Sequence, residues 1–149
     1  MINLRTGTAG IALLSSLAFG ALLAQAAPQH ATHLRAALAG ASEVPAVVSE
    51  GKGSVQATLN STRTSVKWKI TYSGLSGPVT GAHFHGPATA AENAGVVVPL
   101  AGSMKSPIMG NSKVTAEQAA DLLAGKWYFN LHTAANPNGE IRGQVSLKH

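Results

Sequence analysis

Apolar and polar residues alternate most clearly between residues 53 and 72. Val55, Ala57 and Leu59 share one side of an extended chain, with Ser54, Gln56 and Thr58 on the other. After the polar link Asn60-Ser61-Thr62-Arg63, Val66, Trp68, Ile70 and Tyr72 face one way, and Lys67, Lys69 and Thr71 the other. Successive strand side chains point to opposite faces, so two such runs joined by a short link predict an antiparallel hairpin with one face buried and one wet. A first strand is expected at residues 34–38, ending where Gly40-Ala41-Ser42-Glu43-Val44-Pro45 punctuates the chain. Another is expected at 79–85, closed by Gly86-Pro87. The β-branched Val96-Val97-Val98 within 95–100 suits a buried strand stopped at Pro99.

Residues 101–113, with Gly102, Pro107 and Gly110, read as a loop. Thr115-Ala116-Glu117-Gln118 is a capping box, in which the threonine hydroxyl takes an orphan amide and the glutamine reaches back. Helix formers follow to Ala124, and Gly125 stops them, so one short helix is expected over 115–124. Strands are expected again at 126–133 and 140–148, joined across Asn136-Pro137-Asn138-Gly139, whose Asn-Gly pair tolerates positive φ as hairpin turns require. In the last strand Ile141, Gly143, Val145 and Leu147 fall on one face, with Arg142, Gln144, Ser146 and Lys148 on the other. About seven strands and one helix predict an all-β, antiparallel sandwich or barrel.

The first quarter of the chain does not fit this pattern. Met1-Ile2-Asn3-Leu4-Arg5 is followed by an uncharged apolar run from 9 to 24 and by Ala24-Gln25-Ala26, a small-x-small cleavage signal. The run is short and no stop-transfer charges follow it, so residues 1–26 read as a secretory signal peptide and the protein as exported, periplasmic or extracellular. An uncleaved N-terminal anchor is the alternative. No other segment is apolar and long enough to span a bilayer. Residues 27–33 read as a flexible leader and 34–149 as one domain.

There are no cysteines, which excludes disulfides, zinc-thiolate sites and iron–sulfur clusters. Without Arg5 the chain would carry ten basic side chains against six acidic ones, a formal charge of +4. These charges are scattered and not interleaved with aromatics. That argues against nucleic acid and supports only a mild attraction for small anions or acidic surfaces.

Candidate chemistry centres on histidine. His83 and His85 stand at i and i+2, so on a strand both imidazoles leave the same face while Phe84 leaves the other. Across 127–132, Trp127, Phe129 and Leu131 form the apolar set, and His132 projects away from it with Tyr128 and Asn130. All three histidines are therefore expected outside the core, among loops. Neutral imidazoles suit copper, zinc, iron or nickel, and three with one open position suffice for a catalytic metal. The other reading is that they hydrogen-bond loop backbone. Met104 and Met109 offer soft sulfur to copper or partial cover for the core. Glu92 and Glu140 are candidates for a fourth ligand or for an acceptor that fixes an imidazole tautomer, or are simply exposed acids. Arg142 either binds an anion near a metal or pairs with Glu140. If cleavage fell after Ala27, His30 would be third from a free amine, a tetragonal Cu(II) site.

Glu43-Val44-Pro45, Gly81-Ala82-His83-Phe84-His85-Gly86-Pro87-Ala88, residues 122–133 and Asn136-Pro137-Asn138-Gly139-Glu140-Ile141-Arg142-Gly143-Gln144-Val145 together resemble the CHRD domain family. That domain is named for its repeats in chordin and is also found as single exported bacterial proteins. The resemblance implies an extracytoplasmic antiparallel Greek-key β-sandwich or barrel, superoxide dismutase-like or immunoglobulin-like. A fainter likeness is to copper,zinc superoxide dismutases, which also set H-x-H on one strand and a later histidine on another. It implies His83, His85 and His132 as a copper set and Arg142 as an anion guide. The chain departs from it in having no histidine between 88 and 110 and no cysteine pair. Three functions are thus expected: a metal-handling module, with copper first and zinc second; a copper-only dismutase; or a structural, partner-binding domain that holds no metal.

Overall fold

The computed structural model describes residues 30–148, so the expected signal peptide at 1–26 lies outside the described residues. Nine strands and one helix follow in the order β1 (Thr32–Ala39), β2 (Lys52–Leu59), β3 (Ser65–Ser73), β4 (Val79–His85), β5 (Val96–Pro99), β6 (Ile108–Lys113), α1 (Ala116–Leu123), β7 (Tyr128–Thr133), β8 (Ile141–Gln144) and β9 (Ser146–Leu147). The strands form one antiparallel sheet in the order β5-β4-β7-β8-β1-β2-β3-β6, with β9 paired to β1. β8 returns to lie beside β1, and β3 is followed in the sheet by β6 instead of β4, so the chain crosses over between strands that are not sequence neighbours. The expected all-β class is the one observed.

The sheet curls until its ends meet. Trp68 on β3 touches Phe84 on β4, with ring centroids 5.4 Å apart. The two edge strands face each other across a small cavity lined by Val98, Pro99 and Leu100 on one side and Ile108 and Met109 on the other. Inside lie Leu34, Leu38, Val55, Leu59, Ile70, Phe84, Phe129, Leu131 and Ile141, all nearly inaccessible to water. These belong to the inward sets of the alternation, and burying each large side chain stabilises the fold by roughly 1.5–3 kcal/mol. α1 adds Ala119 and Leu122 to the same core. Its capping box forms as expected: Gln118 N donates to Thr115 Oγ1 at 3.1 Å, and Thr115 N donates to Gln118 Oε1 at 2.9 Å.

Several boundaries differ from the sequence expectation. β1 begins at Thr32, so the last two residues of the expected leader belong to the sheet; His33 pairs with Thr58. The segment 108–113, expected as loop, is β6. It is held by pairing with β3 from Ser65↔Lys113 to Ile70↔Ile108, a long-range partner that no local pattern announces. β5 is an edge strand in which only Val98 is buried, which explains how Pro99 sits within it. β7 begins at Tyr128 rather than at 126. The expected last strand is broken at Val145, whose amide donates to Trp127 O at 2.8 Å; beyond it the chain pairs with β1 as β9, leaving Leu147 exposed. Between β7 and β8, Gly139 takes positive φ but Asn138 does not, so the connection is a longer loop instead of an Asn-Gly hairpin turn.

Candidate metal centre

β4 and β7 lie side by side, with Gly81 opposite His132, His83 opposite Asn130 and His85 opposite Tyr128. Alternation sends Ala82, Phe84, Phe129 and Leu131 into the core and leaves His83, His85, Tyr128, Asn130 and His132 on the other face, as expected from the sequence. That face is only partly open to water, His83 and His132 being half-buried. His85 is 9 % exposed and Tyr128 and Asn130 3 % each, because residues 86–95 are tied over this part of the sheet. Gly81 keeps the space between the rings clear: a Cβ there would lie 3.2 Å from His83 Cε1 and 3.7 Å from His132 Cδ2.

The three imidazoles converge, each offering a ligand nitrogen within 4.8 Å of the others. His83 Nδ1 lies 3.1 Å from His132 Nε2, and the three ring centroids are 4.9, 5.5 and 6.5 Å apart. Metal–nitrogen bonds of about 2.0–2.1 Å place neighbouring ligand nitrogens roughly 3 Å apart. The closest pair already has that spacing, and the group could hold one ion. Two of the rings are anchored through their other nitrogen. His85 Nδ1 donates to Ala94 O at 3.0 Å, and His132 Nδ1 to Pro137 O at 3.0 Å. With those protons placed, His85 Nε2 and His132 Nε2 carry lone pairs. The former is buried with no hydrogen-bond partner, while the latter faces Asn130 Oδ1 at 3.0 Å as well as His83.

Burial pushes the His83 pKa below the ordinary imidazole value, and the nearby His132 and His85 lower it further. Burial likewise depresses His85; the bond to Ala94 O and the nearby Asn130 amide oppose this, and His132 and Arg142 reinforce it. Both effects favour the neutral ring, the form that binds metal.

Arg142 is buried, although its strand face was expected to be the outward one. It is 1 % exposed, its guanidinium lying 3.4 Å from the centre of the Tyr128 ring, whose other side stacks on His85 with centroids 4.7 Å apart. Nη1 donates to Asn93 Oδ1 at 2.9 Å, and Nη2 to Glu92 O at 2.6 Å and Thr89 O at 3.3 Å. Those bonds staple the loop carrying Ala94. Glu140 is not its partner. That carboxylate accepts from Ser49 Oγ, Ser76 N, Ser76 Oγ and Thr133 Oγ1 at 2.5–2.8 Å. Burial alone would raise its pKa, yet these hydrogen bonds outweigh it and hold the group at about 2. Glu92 is bound to the hydroxyl and amide of Thr89, so neither acid joins the histidines as a ligand. Met104 packs on the core and Met109 stands exposed on β6. His30 is exposed, and the free-amine copper site expected around it rests on residues outside those described.

Alternation already set Tyr128 and Asn130 on the face of His132, and the register of β4 against β7 brings them beside His85 and His83. One residue near the centre escapes sequence reasoning: Glu43 sits outside the strands, 7 % exposed, and burial raises its pKa to about 7 while Arg142 pulls it the other way.

The family model for the CHRD domain matches residues 34–145. No curated protein and no solved structure matches the chain.

Proposed function

The chain belongs to the CHRD domain family, and from that premise we propose that it is an exported binding module holding one copper-like ion on His83, His85 and His132. The observation that carries this reading is the buried His85 Nε2, which has no hydrogen-bond partner and belongs to a group of imidazoles whose ligand atoms lie within 4.8 Å of one another. An orphaned buried acceptor costs about 1–3 kcal/mol, and an ion removes that cost. His132 Nε2 also lies 3.1 Å from His83 Nδ1 and 3.0 Å from Asn130 Oδ1. Lone pairs at that spacing repel unless a proton or a cation lies between them. An all-nitrogen imidazole set without thiolate suits copper first and zinc second.

A second reading has its own support. His85 and His132 each fix a loop carbonyl, at Ala94 and Pro137, as a purely structural histidine would. Titration of the purified chain with Cu(II) and Zn(II) decides between them. One ion bound tighter than micromolar, lost in His83→Ala and in His85→Ala, is the expected result. Failure of the unaltered protein to bind either ion would leave the loop-ordering role.

A further inference from the structure

The outer face of β1, β2, β3 and β6 is strongly basic. In register, Arg35 lies opposite Gln56, Gln56 opposite Lys69, and Lys69 opposite Met109; in the adjacent row stand His33, Thr58, Lys67 and Asn111. With strands about 4.8 Å apart and alternate residues about 7 Å apart, Arg35, Lys67 and Lys69 fall within roughly 12 Å of one another. Lys148, whose amide bonds to His33 O, and Lys113, opposite Ser65, extend the patch at two sides. All five of these cations are exposed.

Within the four strands nothing balances them, and the one exposed acid near their ends is Glu50, two residues before β2. None of its four strands contains an Asp or Glu. Glu43 and Glu140 are buried elsewhere, Glu92 is bonded to Thr89, and Glu117 and Asp121 lie on α1, where Asp121 pairs with Lys126 at 3.4 Å. A modest net charge is thus sorted by the fold into one surface whose strands carry no acid, which the sequence order conceals. Two shallow grooves of about 620 and 610 Å³ run across it.

We propose that this face is a docking surface for an acidic polysaccharide, a repeating sugar polymer bearing carboxylate or sulfate groups. The cations are interleaved with Gln56, Thr58 and Asn111, whose amides and hydroxyl match sugar hydroxyls as well as anions. A membrane would call for apolar side chains inserted between the cations, and Met109 is the one exposed large apolar residue on these strands. A nucleic-acid strand would call for exposed aromatic rings on which bases stack, whereas Trp68 is buried. A sheet face several strands wide accommodates a chain of sugars lying across it, with anionic groups reaching successive cations.

The test is titration of the purified chain with dextran sulfate, with neutral dextran, phosphatidylglycerol vesicles and duplex DNA as comparisons. Binding to dextran sulfate is expected to weaken about tenfold between roughly 50 and 200 mM salt, as screening of exposed charges requires. It should fall at least about tenfold in the combined variant Arg35→Gln, Lys67→Gln, Lys69→Gln, whose circular dichroism and melting temperature stay unchanged because all three side chains are exposed. The variant Lys105→Gln, Lys126→Gln, which alters cations off this face, should bind as the unaltered protein does. The proposal is overturned if the triple variant retains full affinity, if neutral dextran binds equally, if dextran sulfate is not bound at all, or if vesicles or DNA bind more tightly.

Discussion

Glu43 carries the clearest consequence at the scale of a single residue. Its carboxyl is 7 % exposed, Oε1 has no hydrogen-bond partner, and its pKa stands near 7 against 4.5 for a free carboxyl. A raised folded-state pKa means that stability is fully present below the unfolded value and is lost as pH climbs toward the folded one. Between pH 4.5 and about 7 the unfolded chain releases this proton while the folded chain retains it. The whole displacement corresponds to roughly 3 kcal/mol. Glu43→Gln keeps the shape and removes the titration, so it should match the unaltered protein at acid pH and exceed it by about 1–3 kcal/mol at pH 8. Urea denaturation at the two pH values measures this, and parallel stability curves would disprove it. Glu140 behaves oppositely: its depressed pKa adds stability that is fully present above 4.5 and is lost as pH falls from there through about 2.

Among the elements, the loop 86–95 shows how the candidate centre is built. Sequence reasoning put the three histidines on the correct strand faces, because alternation on β4 and β7 is a local property. It left Arg142 as an outward cation for the same reason. What covers a face is decided by the loops folded over it, and those answer to distant partners: Gln144 Nε2 donates to Ala88 O at 2.8 Å and Arg142 holds Thr89, Glu92 and Asn93. Arg142→Gln should therefore cost about 3 kcal/mol, since it leaves several buried acceptors unpaired. Amide exchange at Glu92 and Ala94 should rise at least about tenfold while that of α1 rises no more than global unfolding allows. Protection unchanged in the loop would sink the stapling role. The contrast with α1 is instructive: its capping box and stop glycine lie within a few residues of the helix, so it was legible in full, whereas β6 exists through pairing with β3.

For the whole molecule, closure of the sheet depends on how β8 meets β1. They share one paired position, Ala39 with Arg142, and Gly143 lies so close to β1 that an added Cβ would fall on Ala37 O. Gly143→Ala should force the strands apart at the point joining β5-β4-β7-β8 to the rest of the sheet. A loss of 2 kcal/mol or more is expected, seen as a lower urea midpoint. An unshifted midpoint would mean that β8 can move without disturbing the barrel.

The order of residues by itself determined the β class, the first hairpin, the helix and the face from which each histidine leaves, since period-two alternation, turn residues and capping act over a few positions. The tertiary structure alone decided that the three imidazoles meet, that Arg142 and Glu43 are buried, that β6 is a strand, and that Arg35, Lys67 and Lys69 gather on one face whose strands carry no acid. Each of those depends on which segments lie side by side when the sheet curls, and residues far apart in the chain become neighbours only through strand order and register.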